Sequence, residues 1–147
     1  DLSNTSIFGV SLMRADLSNA NMSGSRAVAI MDGANLTGAN LSHVDWAADM
    51  KNQSMGLMRV SLKGANLTGV DFTQAKLSRA MLKHAKLSNA NLQGADLFSA
   101  EMDGVDLRGA NLSHANFSHA KLHDAKFENA VTLGADFTDA QHVPTLP

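Results

Sequence analysis

Four side chains near the end of this 147-residue chain are of kinds that hold metals and move protons: His114, His119, His123 and Asp124, with His84 further upstream. Imidazole nitrogens and carboxylates are ordinary zinc ligands. His119 and His123 are four apart, which on a helix would set both rings on one face. His119 also stands twenty residues before Asp139, so the two could form a pH-sensitive pair only if the fold brings them together. No Gly-rich phosphate loop, nucleophile elbow or buried acid pair accompanies them. The zinc reading depends on a helix, and the surrounding sequence does not make one.

From Leu62 onward every fifth residue is bulky and apolar: Leu62, Leu67, Phe72, Leu77, Leu82, and so on to Phe127 and Phe137. Of these sixteen positions ten are Leu, four are Phe, one is Met102, and Thr132 is the misfit. Two residues before each stands Ala, or Val at Val60, Val70 and Val105. A step of five turns a helix by about 140°, so the large side chains would wind round every face and leave no apolar stripe. A continuous strand fails too, because a step of five reverses the face each time. What fits is a very short strand and a turn, repeated. The small and bulky residues point inward, the residue between them points outward, and the next two, rich in Ser, Thr, Gly, Asn and His, form a corner. Small residues beside large ones let stacked layers interdigitate, and such repetition calls for a solenoid. His119 and His123 then fall on different sides of a corner, at outward positions that accept most polar residues. The histidines read as surface residues, and no catalytic, cofactor-binding or metal-binding residue is assigned.

Units such as Ala65-Asn66-Leu67-Thr68-Gly69 and Ala95-Asp96-Leu97-Phe98-Ser99 resemble the pentapeptide repeats, A-(D/N)-L-x-x, over most of the chain. The resemblance implies an all-β fold, a right-handed quadrilateral β-helix in which one repeat makes one side and four make a coil, here about seven coils. Stacked at the inter-strand spacing of about 4.8 Å, they would form a rod roughly 35 Å long.

The solenoid is expected over residues 1–140, followed by a C-terminal cap or tail over 141–147 whose Pro144 and Pro147 block further strand addition. The inward series begins Leu2, Ile7, Leu12, Leu17, Met22. The step from Met22 to Met31 is nine residues rather than ten, and that from Trp46 to Leu62 is sixteen rather than fifteen. These irregularities, near 23–30 and 47–61, are expected to cancel, placing Leu2 and Leu62 three whole coils apart in one continuous rod. The stretch 47–61 is read as a loop, a helical turn or a bulged coil. It holds Met50, Met55, Leu57 and Met58, which either fill an irregular core or present an exposed contact surface.

Absence of cysteine excludes disulfides and thiolate metal sites and suits a reducing cytoplasm. A net charge of −2 gives no mandate for binding nucleic acid or membrane, and no apolar run approaches the ~20 residues of a membrane span. The chain opens inside a repeat without an initiator Met and is read as a trimmed piece of something longer. In a four-sided coil, residues twenty apart stack, so Lys86–Asp106–Lys126, Lys76–Asp96–Asn116–Asp136, Lys63–Lys83–Asp103–His123 and Arg108 above Glu128 set unlike charges on neighbouring coils. Some members of the resembled family mimic duplex DNA and bind DNA gyrase. A mimic needs a long acidic surface, and Lys76, Lys86, Lys121 and Lys126 interrupt it here. Apolar residues at outward positions, Phe98, Met81, Val131, Leu133, Phe8 and Met13, fit a contact surface better. The expectation is a non-catalytic scaffold for protein–protein interaction. Its partner is another protein or a second copy in a homodimer, and its contacts are Met50, Met55, Leu57, Met58, Phe98 and Leu133. The alternatives are a DNA-mimicking regulator of gyrase or topoisomerase and a structural or secretion-associated module of a larger protein.

Overall fold

The computed structural model describes residues 1–48 and 58–147. They form a right-handed, four-sided β-helix. The middle residue of each five-residue unit pairs in parallel with its counterpart one coil away. From Ser61 upward the pairing is regular: Ser61 with Met81, Asn66 with Lys86, Asp71 with Asn91, Lys76 with Asp96. These four columns define sides a, b, c and d. Side d is seven levels deep, through Ser6, Arg26, Asp45, Lys76, Asp96, Asn116 and Asp136. Every small and bulky inward residue from Val60 to Phe127 is buried, as the period of five requires.

The repeat can be read as hydrogen-bond accounting. In the unit Ala65–Gly69, the amide of Asn66 donates to the Ala34 carbonyl of the preceding coil at 2.9 Å, and that of Leu67 to the Lys86 carbonyl of the next at 2.7 Å. The Gly69 amide donates to the Ser88 carbonyl at 3.0 Å, and the Val70 amide closes a turn onto the Leu67 carbonyl at 3.2 Å. Gly69 is the third residue of that turn, with φ of 65°, the conformation a type II turn demands there. One donor is left, the amide of Thr68. The Asn66 Oδ1 accepts it at 3.2 Å and also accepts the Thr68 hydroxyl at 2.8 Å. The same staple joins Asp71 to Thr73, Asn111 to Ser113, Asn116 to Ser118 and Asp136 to Thr138. Where Asn or Asp stands in the middle and Ser or Thr at the first corner position, the pair therefore satisfies the fifth amide of the unit.

Both irregularities fall at one corner, between sides d and a. There β1 (Ser6–Ser11) and β2 (Arg26–Ile30) pair in parallel, with a register shift between Phe8 and Val10 that leaves Gly9 without a counterpart. The shorter β2 accounts for the nine-residue step. One coil later the same two columns are held by Asp45 and Ser61, sixteen residues apart where a regular side has five. The other sides pair across this insertion undisturbed: Asn35 with Asn66, Asn40 with Asp71, Asp45 with Lys76. The expected cancellation is thus corrected. Leu62 follows Leu12 and Met31 on side a, whereas Leu2 shares side c with Met22, Leu41 and Phe72.

Trp46 is the last inward residue of side d before the insertion and is fully buried. Its indole N–H donates to the Oγ of Ser25, also buried, at 3.2 Å, and its ring meets Phe72 edge-on at 6.5 Å between centroids. At the other end of the rod Val143 and Leu146 pack against the core.

Candidate functional site

Side a is where the repeat abandons its own code. Its middle residues are Ser11, Ile30, Ser61, Met81, Glu101, Lys121 and Gln141. None is Asn or Asp, although those residues recur on each of the other three sides. The side chains of this column are therefore not engaged in stapling their own corners.

The corner leading into side a carries most of the exposed apolar surface of the first coils. Phe8 (51% exposed), Val10 (41%), Ile30 (48%) and Met58 (38%) lie there, with half-buried Val28 among them. Strand geometry produces this: along β2, Ala27 and Ala29 point inward, leaving Arg26, Val28 and Ile30 outward, and Phe8 pairs beside Val28. Two shallow grooves of about 360 and 240 Å³ run along this strip, and Val28 and Met58 line both.

Further along the same edge the surface becomes charged. Arg59 donates to Glu101 Oε1 at 2.9 Å, across two coils, and to the Arg79 carbonyl at 3.4 Å. Lys83 Nζ lies 3.7 Å from Glu101 and 3.3 Å from Asp103. The Arg79 guanidinium carbon sits 5.6 Å from the centre of the Phe98 ring. His119 meets Phe98 edge-on at 5.2 Å, and its Nε2 is 3.8 Å from Asp139. Burial pushes the Glu101 carboxyl up, but the Arg59 hydrogen bond and the charges of Arg59, Lys83 and Lys121 outweigh it and hold the group below its ordinary value. A folded pKa below the unfolded one gives stability that is present above the ordinary carboxylate range, about 4.3 for Glu, and is lost as pH falls through the folded value. Thermal melts of the wild type and Glu101→Gln are expected to differ by about 2–4 °C near pH 7 and to converge as the pH falls through the folded value. A gap that does not change with pH would mean that Glu101 contributes by packing alone.

Of the residues singled out in sequence, Met58 and Phe98 are brought onto this one edge, linked through Arg59 and Arg79. Leu133, 70% exposed, is not: with Val131 it sits on and after side c, at a different corner. Met50, Met55 and Leu57 lie outside the described residues. The histidines take a structural place. His43, His84, His114, His119 and His142 all have φ between 56 and 59°, the left-handed corner conformation that Gly fills elsewhere and that His tolerates better than most side chains. His123 pairs with Asp124 at 3.3 Å, and among the described residues no three metal-ligating side chains converge. The expected charge columns stack as read, Lys86 with Asp106 and Asp106 with Lys126, but two of them make no close ion pairs along the column. Arg108 makes a two-pronged pair with Asp106 of its own unit, at 2.8 and 2.7 Å, rather than with Glu128, and Lys86–Asp106–Lys126 forms no ion pair within 4.0 Å. Sequence reasoning missed Arg59, Arg79, Val28 and Ile30. The signal was available: positions 61, 81, 101, 121 and 141 all lack Asn and Asp.

Comparison with known proteins agrees with this architecture. A family model described as pentapeptide repeats, in eight copies, matches residues 29–47, 57–94, 90–129 and 115–141. No curated protein matches the chain significantly. Among solved structures, a trypsin-treated form of QnrB1, a plasmid-mediated fluoroquinolone resistance protein, superposes with a TM-score of 0.61 at 17% identity, covering 92% of this chain and 71% of its own. HetL, a pentapeptide repeat protein involved in heterocyst differentiation regulation in the cyanobacterium Nostoc sp. strain PCC 7120, is 26% identical over 92% of this chain and 84% of its own, with a TM-score of 0.29.

Proposed function

The chain belongs to the pentapeptide-repeat family, and we propose that it is a non-catalytic scaffold that binds another protein through side a and the corner leading into it. One observation carries the reading: every level of side a departs from the Asn/Asp staple that the fold uses elsewhere. A position relieved of a structural task keeps a side chain for another reason, and this side adjoins the exposed strip Phe8, Val10, Ile30 and Met58. Flat repeat faces favour binding over chemistry.

The second reading, a DNA-mimicking regulator of gyrase, draws on the fold shared with QnrB1. It needs a continuous acidic face, and each column holding several carboxylates also holds a lysine: Lys86 and Lys126 on side b, Lys76 on side d. Side c carries Asn21, Asn40, Asn91 and Asn111 and is nearly uncharged. The test is affinity capture from the source cell with the wild type and an Ile30→Asp, Met58→Asp variant whose circular dichroism matches it. A partner retained by the wild type and lost by the variant is the expected result. Equal capture by both proteins sinks the proposal, and capture of gyrase subunits by both favours the second reading.

A further inference from the structure

The proposed binding face has two chemically distinct halves, and together they describe the partner. The first half is the apolar strip. The second is a groove of about 330 Å³ lined by Arg59, Arg79, Ser99, Glu101, His119 and Lys121, with Gln141 at its end. Glu101 is already engaged by Arg59 and Lys83. Arg79 and Lys121 reach no carboxylate within 4.0 Å among the described residues, and the hydrophobic ring of Phe98 holds the Arg79 guanidinium in place. Among the described residues the groove therefore offers two cations with no carboxylate within 4.0 Å, Lys121 near enough to Glu101 for its charge to act on it, beside one neutralised acid.

Resting on the scaffold reading above, we infer that the partner presents an extended acidic segment, with apolar side chains on the strip and one or two carboxylates on Arg79 and Lys121. A polyphosphate chain fits worse. Nucleic acid places a charge every few ångströms, and a run of phosphates here would face Glu101, which lines the charged half. A peptide spaces its carboxylates, and an alternating or clustered sequence can place apolar residues next to them. Opposite potential at such a rim sets which partner is accepted. An arginine already held over an aromatic ring loses little freedom on pairing with a carboxylate.

The experiment is selection of a random twelve-residue peptide library on the wild-type protein, followed by affinity measurement of enriched peptides. The peptides are compared on an Arg79→Glu, Lys121→Glu variant, a milder Arg79→Gln, Lys121→Gln variant, and the Ile30→Asp, Met58→Asp variant, each checked for an unchanged melt. Enriched peptides should combine Asp or Glu with apolar residues. They should lose about tenfold in affinity on charge reversal, less on the neutral change, and bind more weakly as salt is raised. Peptides without acid enrichment that are lost on the Ile30→Asp, Met58→Asp variant would overturn the acidic partner and leave the scaffold face standing. Peptides indifferent to all three variants would overturn both. A sixteen-base-pair duplex that bound the wild type and not the charge reversal would replace the acidic segment with nucleic acid.

Discussion

Trp46→Ala is expected to destabilise the protein by about 3–5 kcal/mol, the range for removing a large buried aromatic, and to do so unevenly along the rod. The ring is fully buried, touches Phe72 edge-on and donates to the buried Ser25 hydroxyl. Its loss opens a cavity and leaves that hydroxyl without a partner. A solenoid is held by nearest-neighbour contacts between coils, so the damage stays near the coil that Trp46 occupies. Hydrogen exchange should quicken at amides of residues 26–46 while those of 81–127 keep their protection. A protein whose amides all lose protection together would show that the rod unfolds as a single unit. The hydroxyl's share can be separated. Trp46→Phe retains most of the packing but abandons Ser25, and adding Ser25→Ala should recover part of the loss, because a polar pair removed together costs less than one partner left alone.

The second large effect concerns Gly104. Its φ is 67°, and a Cβ placed on it would overlap Nδ1 of His84 in the preceding coil. At Gly69, with φ of 65°, a Cβ would have nothing within 4 Å. Gly104→Ala and Gly69→Ala therefore share a backbone penalty of about 1–2 kcal/mol, and only the first also drives His84 from its rotamer, at about 1 kcal/mol more. Denaturant melts of the two variants, of His84→Gly alone and of Gly104→Ala combined with His84→Gly measure the difference as a coupling energy. Equal losses at the two glycines, or no recovery in the double variant, would mean that His84 yields freely and that the spacing of glycine and histidine at this corner has no packing significance.

The sequence made the unit legible and hid the coil. Alternation of Ala65 with Leu67, or Ala95 with Leu97, identifies inward residues by size and period alone, and burial follows that pattern from Val60 to Phe127. Which side a unit belongs to cannot be read in the same way, because Leu serves as the bulky residue on all four. Counting by fives leaves the count by twenties open once a slip intervenes. Counting alone therefore sets Leu62 in line with Leu2, whereas hydrogen bonds join its unit to Met31. The contact of Trp46 on Ser25 is hidden with the side identity, whereas that of Arg59 on Glu101 lies in the regular part of the rod and escapes a column count because it reaches across two coils. The staple between Asn66 and Thr68 was legible in principle from composition. Its absence from side a appears once the units are sorted by column.

The confinement of both irregularities to one corner has a further consequence. Three intact ladders carry the rod past the insertion between Ala48 and Met58, so the length of chain there is decoupled from the orientation of everything that follows. That corner is a natural port for grafting: a binding loop of different length, or a small folded insert, could be spliced in without turning the later coils. One residue added on sides b or c would instead swap inward for outward side chains along the unit. A lineage could diversify what this molecule holds by lengthening a single connection, and an engineer could use the same opening.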